Sequence, residues 1–290
     1  MVDQAERLRE LIRGTKPPGK RKATRVIAVT SGKGGVGKTN LAVNLGIALT
    51  QLGNRVLLVD ADLGLANVDV ILGIIPKYNL GHVLLGAKQI DEVVAEGPGG
   101  LKIVASGSGD YKLANLSERG LEQCLQHLNE IDQSTDIMIV DTGAGISRNV
   151  LKFVLAAAEV IIVTTPEPTA ITDAYGIIKV VVSAAPTTPL WVVVNMVKND
   201  KEADQVMDRL VSVSKRFLGV GLTGIGSIPV DPIVVKSVKE QQPFIVGHPR
   251  SAASQSVNQI AKNLLSKESP LQSSLQSGTM NFFERLLRRF

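Results

Sequence analysis

Residues Ser31 to Asn40 read SGKGGVGKTN, and this stretch decides how the rest of the chain is read. It holds a glycine, four residues and then Gly-Lys-Thr, with Gly32 opening the pattern and Gly37, Lys38 and Thr39 closing it. Glycine has no Cβ, so Gly34, Gly35 and Gly37 let the backbone curl with its N–H groups turned inward around an anion. Val36 and Asn40 belong to the same phosphate-facing set. The helix that follows adds the positive end of its dipole, Lys38 adds a full charge for the β and γ phosphates, and the Thr39 hydroxyl can ligate magnesium. These groups suit a nucleoside triphosphate.

The flanks support that assignment. Arg25 to Ser31, RVIAVTS, is β-branched and bounded by Gly32, which predicts a buried parallel strand. From Thr39 onward Leu41, Ala42, Leu45, Ile47, Ala48 and Leu49 predict an apolar-rich helix ending near Gly53. Arg55 to Val59 is a second strand running into Asp60-Ala-Asp62, and Asp136 to Asp141 another apolar run ending in aspartate. Further strands are expected at Leu101–Ala105, Glu159–Thr164, Leu190–Val194 and Ile225–Ile228. Short helices are expected at Leu80–Leu85 and Ile90–Val94, and longer ones at Glu118–Ile131, Ala170–Ser183, Asp231–Lys239 and Ser251–Leu265. The fold class is α/β: a doubly wound, mostly parallel sheet flanked by helices, with helical tails.

Carboxylates at the carboxyl end of a parallel strand lie in the crevice where such sheets bind ligands. One of Asp60 and Asp62 can join the magnesium shell and the other orient water for in-line attack, although either could instead cap the next helix. Asp141 is placed to hold magnesium through its water shell, and the small residues Thr142 to Ile146 permit a loop that changes shape with the γ-phosphate. Asn195, at the end of its strand, offers both donor and acceptor to an adenine edge. The Asn-Lys-x-Asp sequence that usually reads guanine is absent. Trp191 is expected to be a core residue.

Composition narrows the classes. The 290 residues carry 44% hydrophobic but only 3% aromatic residues, so the core is aliphatic. No apolar run reaches the roughly 18 residues of a membrane span, and the polar start does not resemble a secretory signal, so a cytoplasmic protein is expected. One cysteine, Cys124, excludes an intrachain disulfide and a subunit-bridging iron–sulfur cluster needing two per chain. His82, His127 and His248 lack metal-ligand spacing. Residues 1–25 carry eight Lys/Arg against three Asp/Glu and residues 280–290 three against one, which leaves −2 for the body of a +5 chain. A body that gripped nucleic acid would concentrate positive charge instead.

Both ends carry their own signals. VDQAERLRELIR, residues 2–13, predicts a short amphipathic helix too small to be stable alone, followed by a Pro-, Gly- and Lys-rich tether up to residue 24. This is either a recruited peptide or an N-terminus without a role. At the other end residues 266–279 are Ser- and Gln-rich, a linker, and MNFFERLLRRF follows. At about 100° per residue, Phe282, Phe283, Leu286, Leu287 and Phe290 fall within roughly 140°, opposite Glu284, Arg285, Arg288 and Arg289. Such a helix can lie in an anionic bilayer surface, or dock on the protein's own body or in a partner's groove. The outward arginines favour the bilayer. Each basic residue adds about 1 kcal/mol, and two helices on one dimer gain roughly 10²- to 10⁴-fold by effective concentration.

Over about residues 25–265 the chain resembles the MinD/ParA ATPases. The KGGVGKT loop with its extra Lys33, the VDADLGLANVD run, DTGAGIS and Pro229-Val-Asp231 carry the resemblance. It implies ATP and Mg2+ as ligands and a homodimer sandwiching ATP, with Lys33 reaching the phosphates across it. It also implies Asp62 as the water-activating residue, Asp60 in the metal network, and Pro229 and Asp231 against the base. The DTGAGIS spelling resembles that of the family's flagellar regulators. DQAERLR is similar to the element by which those stimulate FlhF, a GTPase related to the signal recognition particle. Gln4 would help complete that partner's site, with Asp3, Leu8 and Arg9 holding the helix. The resemblance further implies flagellar basal-body switch proteins as partners, control of flagellar number or placement, and reversible attachment to the inner face of the cell membrane. Division-site selection as by MinD, and DNA segregation as by ParA, are the alternatives.

Overall fold

The computed structural model describes residues 23–62, 67–79, 82, 87–105, 134–267 and 278–287. The strands are β1 (Arg25–Ser31), β2 (Val56–Ala61), β3 (Val94–Glu96), β4 (Lys102–Val104), β5 (Ile137–Ala144), β6 (Glu159–Thr164), β7 (Leu190–Val197) and β8 (Thr223–Pro229). They form one sheet in the order β3-β4-β2-β5-β1-β6-β7-β8, parallel throughout except for β3 against β4. β1, β2, β5 and β6 are apolar along nearly their whole length and buried, because helices cover both faces.

The helices are α1 (Lys38–Gln51), α2 (Val68–Leu72), α3 (Ile90–Val93), α4 (Arg148–Ala156), α5 (Pro168–Ala184), α6 (Asp200–Leu218), α7 (Pro232–Lys239), α8 (Phe244–Gly247), α9 (Ala252–Ser266) and α10 (Gly278–Leu287). Alternation along β1 divides the core. Ile27 and Val29 face Leu41, Leu45, Val257 and Ile260 of α1 and α9, whereas Val26 and Ala28 face Phe153 and Ala156 of α4. A third cluster joins α5 and α6 to β6 and β7.

Two features differ from the sequence expectations. Val94–Glu96 is an antiparallel edge strand, and α4 and α6 occupy segments to which the motifs assigned no element. The expected helix over 118–131 and most of that over Leu80–Leu85 lie outside the described residues, as do residues 1–22. Trp191 is buried as expected, but its Nε1 donates to Glu159 Oε2 at 2.8 Å, and Arg25 meets the same carboxylate through Nε and Nη2, both at 2.6 Å.

The tail docks on the protein's own body, one of the placements its sequence allows. α10 packs on α4 and β1, with Phe282 and Leu286 each 1% exposed inside the same cluster as Val26 and Phe153. Gly278 lies so close to the Thr24 carbonyl that a Cβ would overlap it. The outward arginines did not separate lipid from body, because docking also leaves Arg285 exposed. Phe290 lies outside the described residues.

Candidate active site

Register brings the functional groups together. β2 and β5 run parallel with Asp60 opposite Asp141, while Val29 of β1 is also opposite Asp141. The loop after β1 and both aspartates therefore converge at one end of the sheet. In the loop, Gly35 and Gly37 have φ values of 78° and 86°, which L-residues rarely adopt. At Gly34 and Gly35 a Cβ would meet no atom within 4 Å, which leaves that side of the loop open for a ligand. Gly32 is small for another reason: α5 crosses it at the Asp173 backbone.

Lys38 Nζ donates to Asp141 Oδ1 at 3.2 Å, with the two side chains 8% and 1% exposed. Thr39, the next residue, lies near enough to pull on the same carboxylate. Burial nonetheless raises the Asp141 carboxyl above its ordinary value, against the opposing pull of Lys38 and Thr39. Asp60 is pushed up to about 7, first by burial, with the Asp62 N–H opposing and the Asp141 charge adding. Asp60 accepts from Asp62 N–H at 3.0 Å and, more weakly, from Val68 N–H at the start of α2. Lys38 answers only Asp141, and Asp60 beside it is met, among the described residues, by backbone N–H groups and no cation, so two buried carboxylates lie at a site with one ammonium, which fits a further cation. Among the described residues no three His, Cys, Asp or Glu side chains gather as a ligand set. Magnesium, which keeps much of its water and takes phosphate oxygens, needs no such cage; Thr39, with Asp141 and Asp60 behind it, would hold it.

Asp62 faces the end of β5: a Cβ at Gly143 would come 3.4 Å from Asp62 Oδ1. The loop after β5 is tied to the first by Gly145 N–H donating to Ser31 O at 2.8 Å. Ser147 then caps α4, so the loop and α4 are continuous. Lys33 turns toward its own chain, donating to Glu167 Oε2 at 2.5 Å and Thr169 Oγ1 at 3.1 Å. Asn195 packs over Gly37 and donates through Nδ2 to Val36 O at 2.8 Å, while its Oδ1 accepts from Met196 N–H. One donor and one lone pair are left for a base. Asp231 caps two helices, accepting from Ile233 N–H at 2.9 Å and Ala253 N–H at 3.1 Å. Pro229 ends β8 beside it.

The family model for the CobQ/CobB/MinD/ParA nucleotide binding domain matches residues 27–244, most of the chain. The chain belongs to this family. It is 42% identical over 274 residues to the antiactivator FleN of Pseudomonas aeruginosa, covering 94% of this chain and 97% of that one. It is 37% identical over 295 residues to the flagellum site-determining protein YlxH of Helicobacter pylori, covering 99% of each. The septum site-determining protein MinD from Pyrococcus horikoshii, solved with Mg-ADP, superposes with a TM-score of 0.69 at 25% identity, covering 87% of this chain and 99% of that one. A MinD/ParA-type P-loop site with these groups is that of an ATPase that uses ATP and Mg2+.

Motif reasoning missed Glu167 and Thr169 as partners of Lys33, and Asn44 as a buried polar residue of α1. Asn44 carried a visible signal, an amide in an otherwise apolar helix face; Glu167 carried none.

Proposed function

We propose that this chain is a flagellar regulator of the FlhG kind, an ATP-driven switch that dimerises, attaches reversibly to acidic membrane and limits the number or sets the placement of flagella. The observation that carries the reading is the reach of the similarity. The family domain stops at residue 244, yet FleN and YlxH match over 94% and 99% of the chain, well beyond that domain. A function of the nucleotide domain alone would not require that.

In this reading ATP draws two copies together and Lys33 leaves Glu167 for the phosphates of the neighbouring copy. Thr39, Asp60 and Asp141 hold Mg2+, and Asp62 directs the attacking water. The packing of α10 supports a coupling to lipid: its groove is lined by α4, which continues directly from the loop after Asp141. A shift of that loop on triphosphate binding can loosen Phe282 and Leu286 from Phe153, freeing an apolar face together with Phe283, Leu287 and Phe290 for the bilayer. Residues 1–20 would meanwhile stimulate FlhF through Gln4, with Asp3, Leu8 and Arg9 placing it, and the body would meet the flagellar switch proteins.

Sedimentation with acidic vesicles tests the switch. The full chain should pellet with a non-hydrolysable ATP analogue and stay in solution with ADP, and removal of residues 280–290 should abolish pelleting while sparing dimerisation. Deleting residues 1–20 should spare both and lose FlhF stimulation. A chain that remains monomeric with every nucleotide sinks the reading.

A further inference from the structure

Asn44 is 0% exposed in the middle of α1, among Leu41, Ala42, Val43 and Leu45. An asparagine there is a weak helix former, and its amide loses water on burial, so the site favours leucine unless the amide is put to use. Both ends of the amide are engaged. Nδ2 donates to the Asn40 carbonyl at 2.8 Å, in the first turn of the helix next to Thr39, and Oδ1 accepts from the Ile245 N–H of α8 at 3.0 Å. The second bond joins residues 201 positions apart in sequence.

α8 is gripped from its other side as well. Ser254, also 0% exposed, places its hydroxyl 3.1 Å from Phe244 O and 2.8 Å from His248 O, at the two ends of the α8 turn. Its neighbour Ala253 donates N–H to Asp231, whose other oxygen caps α7. A continuous line of hydrogen-bonded groups therefore runs from the phosphate-binding turn through Asn44, α8 and Ser254 to Asp231 and the adjoining Pro229.

We propose that Asn44 is a positioning residue that fixes the base-side segment Pro229–Asp231 relative to the phosphate loop and so sets the preference for adenine nucleotides. The proposal rests on the reading that the base lies against Asn195 and Pro229–Asp231. An amide that only filled space would be matched by leucine, and one that only held α8 would affect stability alone. An amide that sets the spacing between the phosphate and base subsites must change which nucleotide fits.

The test compares the affinity of the full chain for non-hydrolysable ATP and GTP analogues, with Mg2+ present, and kcat at saturating ATP. Asn44→Leu should weaken ATP-analogue binding about tenfold, as expected when the base and phosphate subsites are no longer held at the matching spacing, lower the ATP/GTP preference by a similar factor and leave kcat within about twofold. Asn44→Asp, which keeps an acceptor facing Ile245 N–H, should retain more of the preference than Asn44→Leu. Ser254→Ala should act in the same direction more weakly, and it decides the matter if the Asn44 variants do not fold. Asp231→Asn separates the two layers. If it lowers the preference while Asn44→Leu and Ser254→Ala lower only the melting temperature, Asn44 is a structural anchor and the proposal is overturned. If Asp231→Asn also leaves the preference unchanged, the base lies elsewhere, and the proposal falls with the site reading.

Discussion

The two ends of the sheet treat buried charge in opposite ways. At the amino ends of the strands, Glu159 is 0% exposed and fully answered from within: Arg25 meets both its oxygens, Trp191 adds a third bond, and Arg25 also donates to Leu264 O at 2.8 Å. At the carboxyl ends, Asp60 and Asp141 are each 1% exposed, Lys38 pairs with Asp141 alone, and burial raises both carboxyls. The first cluster is complete and serves stability. The second is left short of positive charge, and that shortage is where a metal and a triphosphate enter.

The sharpest break in that comparison is Asp62→Ala. At the incomplete end a residue can be dispensable for folding and essential for chemistry, so the variant should bind ATP and stay folded. Loss of a water-activating carboxylate should lower kcat about 10²- to 10⁴-fold. Steady-state phosphate release beside analogue binding measures both, and normal hydrolysis would remove Asp62 from the role.

Arg25→Met makes the reverse cut. Glu159 would be left buried without its partner, at a cost of about 3–5 kcal/mol in unfolding free energy, while nucleotide affinity of the folded chain stays unchanged. The double variant Arg25→Met, Glu159→Leu should regain most of the loss, since no charge is then stranded. Urea unfolding monitored by Trp191 fluorescence reads this directly.

Asp60 gives the comparison a pH dependence. Its folded value is raised from 3.8 to about 7, so the nucleotide-free folded chain holds a proton that the unfolded chain releases. The stability contribution is therefore full below about pH 4 and is lost as pH rises through about 7, on the order of 4 kcal/mol in all. Asp60→Asn should flatten this slope, and saturating Mg-nucleotide should too, because a bound cation stabilises the ionised carboxylate. Denaturation midpoints from pH 4 to 8 would show it; an unchanged slope in Asp60→Asn assigns the proton to another group.

Sequence disclosed these two ends unequally. SGKGGVGKTN, Asp60 and Asp141 are legible because phosphate and metal chemistry restrict residue type at short spacing, and the strands carrying them are plain apolar runs. Glu159 and Arg25 lie 134 positions apart, and only the β1–β6 register brings them together. α6 is legible from its ends rather than from a motif: Asn199 caps it, Asp200 and Glu202 open it, Lys215 and Arg216 close it and Gly219 ends it. Gly32 belongs to the motif, yet its neighbour is Asp173 of α5, a packing fact no loop pattern contains. The resting place of α10 was illegible for a deeper reason: an apolar stripe opposite arginines meets the demands of a lipid surface and of the α4–β1 groove equally.

Gly278→Ala tests that tail directly. The added methyl overlaps the Thr24 carbonyl, and overpacking of this kind costs about 1–3 kcal/mol, enough to shift a short docked helix toward release. Vesicle pelleting should then occur without a triphosphate, at unchanged ATP affinity. If the variant pellets no more than the parent chain, either the groove tolerates the methyl or free α10 does not bind lipid. A peptide of residues 278–290 offered to the same vesicles distinguishes these, since it pellets in the first case and not in the second.

The smallest effect belongs to Glu167→Gln, at the boundary between the incomplete end and solvent. Lys33 and Glu167 are 37% and 62% exposed, so their ion pair contributes under about 1 kcal/mol, and the melting temperature should barely move. The interest lies in self-association. If Lys33 must leave Glu167 to reach the phosphates of a second copy, the pair opposes dimerisation, and the variant should dimerise with the ATP analogue at a protein concentration up to about fivefold lower. Thr169 still offers Lys33 an acceptor, so the lysine stays in place in the monomer, and any change in the midpoint reports the lost charge rather than a displaced loop. Analytical ultracentrifugation across a concentration series resolves such a shift. A weaker dimer in Glu167→Gln would mean that the carboxylate holds Lys33 ready for the neighbouring copy, and the contact within one chain would then be part of the assembled site.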